Sequence, residues 1–147
     1  MNHKIILLAE DNPDDALLTM HALKEAKVCN EIVHVEDGVQ ALDYLYGRGR
    51  YAGRDTSNLP ALLLLDINMP KINGLEVLKQ VRADPALRRL LIVMLTTSRN
   101  DQDLVASYDL GVNSYVRKPV DFDEFSEAAR HLGMYWLLLN ESPPTQS

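Results

Sequence analysis

Glu10, Asp11, Asp66, Thr96 and Lys118 each stand at or just past the end of a short apolar run, and their side chains make a set that can handle a phosphoryl group. Like-charged carboxylates that converge raise one another's pKa unless a cation neutralises them, because unit charges about 4 Å apart interact by about 4 kcal/mol at an effective dielectric of about 20. An oxygen-only set with no Cys or His in the pattern suits Mg²⁺, which takes a few protein oxygens and leaves positions for water and a phosphoryl oxygen. Asp66 would then be both metal ligand and nucleophile. Its carboxylate attacking phosphorus gives an aspartyl phosphate, whose remaining oxygens Lys118 and the Thr96 hydroxyl can hold. Each residue alone has a plainer use: Glu10-Asp11-Asn12 as a turn and helix cap, Asp66 as a strand-end turn residue, Thr96 and Lys118 as surface polar groups. The conjunction carries the argument, since successive strand ends all supply parts of one site.

Positioning these residues takes a particular kind of scaffold. Short apolar runs at Ile5–Ala9, Ile32–Val35, Ala61–Leu65, Leu90–Leu95 and Ser114–Val116 alternate with amphipathic helical patterns, the signature of a parallel α/β sheet buried on both faces. In such a sheet the carboxyl ends of the strands lie along one edge, so these residues become neighbours in space. Asn12 can cap a first helix with Pro13 at its first position and Asp14 and Asp15 in its first turn, followed by Leu17, Met20, Leu23 and Lys27 at helical spacing. A second helix begins near Asp37-Gly38 with Ala41, Leu42 and Leu45 on its core stripe. The third holds Leu75, Leu78 and Val81 and stops before Pro85. A fourth runs from about Asn100 to Leu110, with Gly111 placed to stop it. The last starts at Asp121, where Asp121 and Glu124 make a capping-box-like pair, and buries Phe125, Ala128, Ala129, Leu132, Tyr135, Trp136 and Leu139. Residues 47–60 read as a long exposed loop.

The blocks LLAEDN at 7–12, LLLLDINMPKINGLEVL at 62–78, MLTTS at 94–98 and SYVRKP at 114–119 resemble, in order and spacing, those of the receiver domains of bacterial response regulators. The resemblance spans about residues 4–139. It implies a doubly wound five-stranded parallel sheet of order 2-1-3-4-5, of the flavodoxin-like (βα)5 type. It further implies that Glu10 and Asp11 hold Mg²⁺, that Asp66 accepts a phosphoryl group from a histidine kinase, and that Asn68 lends a backbone carbonyl to the metal. Thr96 would be the switch hydroxyl, Lys118 the phosphoryl-binding lysine with a cis bond to Pro119, and Tyr115 the aromatic that moves as Thr96 is drawn inward. The signal would leave through the face made by the fourth and fifth helices and the fifth strand. Two departures stand out: Glu10-Asp11 replaces the commoner Asp-Asp, and Thr97 follows the switch hydroxyl where small residues are usual.

Composition bounds the rest. With 147 residues, 46% hydrophobic, the chain suits one core, read as a single receiver domain over 1–140 with a flexible polar tail at 141–147. A net charge of −6 argues against nucleic acid or anionic membrane as a direct partner. One cysteine, no secretory pattern and no long apolar run point to the cytoplasm. His3, His21, His34 and His131 lack metal-ligand spacing. Met134, Leu137 and Leu138 form a second apolar stripe on the last helix, from which a homodimer is expected. The 47–60 loop and the YWLLL segment are similar to single-domain regulators that serve phytochrome-like histidine kinases, and the loop's Arg48, Arg50 and Arg54 are candidates for docking an acidic partner, although loop arginines are commonly just solvated. The downstream protein stays open. So do three rivals: a hydrolase with an Asp nucleophile and Mg²⁺, which would want an acid/base Asp where Asn68 stands; a flavodoxin-like cofactor binder, for which no phosphate loop is visible; and a receiver kept only as a scaffold.

Overall fold

The computed structural model describes residues 5–26, 28, 30–97 and 111–132. Within them, β1 (Ile6–Ala9), β2 (Ile32–Val35), β3 (Leu62–Asp66), β4 (Ile92–Thr96) and β5 (Ser114–Arg117) form one sheet, with α1 (Pro13–Glu25), α2 (Gly38–Tyr46), α3 (Gly74–Ala83) and α4 (Phe122–His131) connecting or following them. The strand order is β2-β1-β3-β4-β5 and every pairing is parallel. This is the doubly wound arrangement expected from the sequence.

Side chains alternate across the sheet, which divides the apolar runs between two cores. Leu7, Ala9, Leu63, Leu65, Ile92 and Met94 pack with α2 and α3 residues such as Leu42, Leu45 and Leu78. Ile6, Leu8, Leu62, Leu64, Val93 and Leu95 pack on the other face with Leu23 of α1 and Phe125 of α4. β1, β3 and β4 are buried throughout because both faces are covered, whereas β2 and β5, at the edges, carry partly exposed positions. Each fully buried Leu or Ile contributes about 1.5–3 kcal/mol over its exposed state.

The strand limits shift by a residue or two from the apolar runs. β3 runs on to Asp66, whose register partner is Leu95, and β5 runs on to Arg117, paired with Thr96. β4 begins at Ile92: the Leu90 N–H turns back to the Leu87 carbonyl at 2.9 Å, and the Leu90 carbonyl accepts from Arg82 Nη1 at 2.7 Å. On α1 the expected stripe holds at Leu23, which is buried, and at Met20, which packs against the core, and is corrected at Leu17; Lys27 lies outside the described residues. Ala16, Thr19 and Ala22 line the buried face beside Leu23, and Leu17, 63% exposed, and Leu18, 48% exposed, turn outward.

Helix ends follow local chemistry. The Asp37 carboxylate accepts from the Gln40 N–H at 2.8 Å, and Gly47, at φ +67, supplies the left-handed residue that ends α2. Asn73 caps α3 through the Glu76 N–H at 2.9 Å. Asp121 caps α4 through the Glu124 N–H at 2.7 Å, while the Glu124 carboxylate accepts from the Arg117 N–H at 2.6 Å, tying the helix to the end of β5. The 47–60 loop is more ordered than a plain exposed connection, with a 3-10 turn at Gly49–Tyr51. Arg54 is committed inside it, donating to the carbonyls of Tyr44 at 2.7 Å, Leu45 at 3.3 Å, Asp55 at 3.2 Å and Asn58 at 3.0 Å, with its guanidinium 4.2 Å from the Tyr44 ring centre. That removes it from the set of free docking arginines. Gly111 takes φ +71, as a stop position would. The helix expected over 100–110, the tail, and Tyr135, Trp136, Leu139, Met134, Leu137 and Leu138 lie outside the described residues.

Candidate phosphoryl-acceptor site

Glu10 follows β1, Asp66 ends β3, Thr96 ends β4 and Lys118 follows β5, so the parallel sheet delivers all four to its carboxyl edge. Oxygen atoms from Glu10, Asp11 and Asp66 lie within 4.8 Å of one another. Glu10 and Asp66 are 0% and 3% exposed, whereas Asp11 is open to solvent. The Lys118 ammonium donates to Glu10 Oε1 at 3.1 Å and Asp66 Oδ2 at 3.2 Å. The backbone turns that bring it there include a cis Lys118-Pro119 bond and a Lys118 N–H donated to the Thr96 carbonyl at 2.7 Å.

The turn after β1 is built by its own side chains. The Asn12 N–H donates to Glu10 Oε2 at 3.2 Å, and Asn12 Oδ1 accepts from the N–H groups of Asp14 at 2.9 Å and Asp15 at 3.1 Å. The ring Nε2 of His34, on the edge strand, lies 2.7 Å from the Glu10 carbonyl. After β3, α3 starts so close to the acceptor strand that a Cβ on Gly74 would fall 2.2 Å from the Asp66 carbonyl oxygen. Only glycine permits that approach.

Burial and crowding set the electrostatics. Burial pushes the Glu10 carboxyl up to about 7, helped by the charge of Asp66 and opposed by the Asn12 N–H and Lys118. Asp66 is pushed upward by burial, against the Glu10 hydrogen bond, Lys118 and the Asn68 N–H. Burial pulls the Lys118 ammonium down, but the Asp66 and Glu10 carboxylates outweigh it and hold the group above its ordinary range. Thr96 is 1% exposed and its Oγ1 has no hydrogen-bond partner, the one such buried side-chain atom among the described residues.

A family model for the response regulator receiver domain matches residues 6–130. The chain belongs to that family. Among relatives of this receiver, response regulator Rcp1 of Synechocystis sp. is 37% identical over 134 residues, covering 91% of this chain and 89% of that protein. A structure of the Mn(2+)-bound form of Rcp1 superposes with a TM-score of 0.72 at 35% identity, covering 97% of this chain and 99% of that one. The bacteriophytochrome response regulator RtBRR has a TM-score of 0.88 at 50% identity, covering 97% of this chain and 85% of that one. The phosphorylated cyanobacterial phytochrome response regulator RcpA has a TM-score of 0.71 at 39% identity, covering 98% and 100%. This protein is therefore a receiver-domain response regulator, a signalling protein homologous to phytochrome response regulators.

Contacts bring Glu10, Asp11, Asp66 and Lys118 together, and Thr96 stands at the same sheet edge with its carbonyl accepting the Lys118 N–H. Asn68 is exposed, with its N–H toward the Asp66 carboxylate, and Tyr115 is half-buried on β5 against the core shared with α2 and α3. One residue escaped the sequence reading. Asp15 Oδ2 stands 3.3 Å from the Lys118 ammonium, a contact hidden behind its role as a first-turn acid on α1.

Proposed function

We propose that Asp66 accepts a phosphoryl group from a histidine kinase, with Glu10, Asp11 and Asp66 holding Mg²⁺. The observation that carries this is the meeting of Glu10, Asp66 and Lys118 within 3.2 Å contacts at the sheet edge, beside an acidic trio whose oxygens lie within 4.8 Å. The donor set is all oxygen, as a hard divalent cation requires, and the Asn68 backbone carbonyl is our further candidate ligand. A bound Mg²⁺ would neutralise the carboxylates and take one phosphoryl oxygen. A carboxylate oxygen of Asp66 attacks phosphorus in line, and the kinase's histidine nitrogen leaves with the electron pair of its bond to phosphorus. Lys118 turns a donor from Asp66 to a phosphoryl oxygen. The Thr96 hydroxyl, which has no partner, donates to another.

Drawing Thr96 inward shifts a pre-existing equilibrium in which Tyr115 follows, remodelling the face around β5 and the chain before and after it. The likeness to RtBRR, a bacteriophytochrome response regulator, and to RcpA, a cyanobacterial phytochrome response regulator, supports a phytochrome-like kinase as donor, and the protein would act in the cytoplasm. Association into a homodimer through Met134, Leu137 and Leu138 rests on sequence spacing, and light scattering at high micromolar concentration tests it. For the central reading, the protein is incubated with Mg²⁺ and acetyl phosphate and followed by intact-mass spectrometry. One acid-stable, hydroxylamine-labile phosphoryl group per chain, lost in Asp66→Asn, is expected. Rapid turnover of many phosphomonoesters would instead favour a hydrolase.

A further inference from the structure

An ammonium has three N–H donors, and those of Lys118 face three carboxylates: Glu10 Oε1 at 3.1 Å, Asp66 Oδ2 at 3.2 Å and Asp15 Oδ2 at 3.3 Å. The Lys118 side chain is 9% exposed and that of Asp15 is 31% exposed, so Asp15 approaches from the solvent side. Two of the three partners belong to one short turn. Asn12 binds both ends of it, giving its N–H to the Glu10 carboxylate and accepting the backbone N–H of Asp15, so the main chain that carries Asp15 is fixed relative to the Glu10 carboxylate. Asp15 stands apart from the acidic trio of Glu10, Asp11 and Asp66.

Phosphorylation changes what the lysine can bind. Once an Asp66 oxygen is esterified, the donor directed at it must turn to a phosphoryl oxygen, and the other two contacts decide whether the ammonium stays in place. Lysine carries a flexible four-carbon stem with large rotamer entropy, so a single remaining contact would leave it free to swing toward water. On this basis, and resting on the phosphoacceptor reading above, we propose that Asp15 is a positioning residue. It anchors the outer side of the Lys118 ammonium so that one donor is always aimed at the Asp66 carboxylate or its phosphoryl group.

Simple electrostatics would give the opposite sign. If Asp15 acted only as a nearby negative charge, removing it would ease the approach of an anionic phosphodonor and speed the reaction. Asp14 provides the comparison, because it is exposed in the same turn and its neutralisation changes net charge equally. The experiment uses the full chain at saturating Mg²⁺ and compares wild type, Asp15→Asn, Asp15→Ala and Asp14→Asn. Acetyl phosphate labelling is timed by mass spectrometry, Mg²⁺ affinity is measured by calorimetry, and the Lys118 ammonium is followed by ¹⁵N NMR in the resting protein. The expected result is labelling slowed about tenfold in both Asp15 variants, as for loss of one charge-assisted hydrogen bond. Mg²⁺ affinity should change by no more than about twofold, since the charge removed is shared with Lys118 rather than with the trio. The Lys118 ammonium signal should broaden through faster proton exchange, and Asp14→Asn should label at the wild-type rate or faster. Wild-type labelling with Asp15 variants that match Asp14→Asn, or an unaltered Lys118 signal, would overturn the positioning role alone. A wild-type protein that takes no label would overturn the phosphoacceptor reading and this role with it.

Discussion

Thr96 is the residue whose resting environment makes least sense without a visitor. Its hydroxyl is sealed from water and unpartnered, and a buried hydroxyl left that way costs about 1–3 kcal/mol. Replacing it by the similarly shaped valine removes the unsatisfied group while keeping the packing. Thr96→Val should therefore leave the resting protein as stable as wild type or up to about 2 kcal/mol more stable in urea denaturation. The same variant should lose most of its affinity for beryllofluoride, a phosphoryl mimic, by calorimetry. A clear loss of stability would mean the hydroxyl already has a role in the resting fold. Thr96, Asp66 and Lys118 were legible in the sequence because each follows an apolar run, and the end of a buried parallel strand has only one place to go. Asp15 was not, because its backbone role as a first-turn acid accounts for it and nothing in the spacing says which way its carboxylate turns.

At the level of elements, two contacts hold the site's frame, and neither announces itself as functional in the sequence. The start of α3 is pressed onto the end of β3, where a Cβ at position 74 would meet the Asp66 carbonyl oxygen at 2.2 Å and the Ile67 Cα at 2.9 Å. Both obstacles are backbone and cannot rotate away. Gly74→Ala should cost about 1–3 kcal/mol of stability by denaturant titration and slow labelling of Asp66, because relief requires moving the strand end that carries it. At the opposite end of the sheet, the Arg82 guanidinium joins α3 to the entries of two strands. It donates to the carbonyls of Arg88 at 2.9 Å, Leu90 at 2.7 Å and Gly111 at 2.8 Å, and to Asn113 Oδ1 at 3.0 Å, which also accepts the Ile92 N–H at 2.8 Å. Arg82→Ala should cost about 2–4 kcal/mol, and Arg82→Lys should recover only part, since an ammonium cannot span the same acceptors. Periodicity found α2 and α3 correctly, because each has one broad apolar stripe. On α1 it placed Leu23 and Met20 against the core but failed at Leu17, because the small residues Ala16 and Thr19 are the ones that pack there. Exposed on α1, the adjacent Leu17 and Leu18 should matter to a kinase and not to a small phosphodonor: Leu17→Asp with Leu18→Asp should impair kinase-driven phosphotransfer at least about tenfold while acetyl phosphate labelling persists.

For the whole molecule, the fold and the site pull in opposite directions. Folding gathers the Glu10, Asp11 and Asp66 oxygens within 4.8 Å and provides one close ammonium, Lys118, for the two buried members. The two cores on either face of the sheet supply the free energy that holds this arrangement together. Unfolding releases the carboxylates to independent solvation, so on the proposed reading a divalent cation would find a chelating site in the native state and only scattered carboxylates in the unfolded one. Binding confined to the native state adds RT ln(1 + [L]/Kd), about 2.7 kcal/mol at a hundredfold excess over Kd. The melting temperature should thus climb with Mg²⁺ in a saturable way at constant ionic strength, measured by calorimetry against a Na⁺ control. Asp66→Asn separates cause from coincidence. Without metal it should melt higher than wild type, since one of the crowded charges is gone, and its gain on adding Mg²⁺ should shrink because a ligand has gone with it. If wild type and Asp66→Asn respond to Mg²⁺ alike, the ion is acting elsewhere on this acidic surface, and the carboxylate edge is not its site.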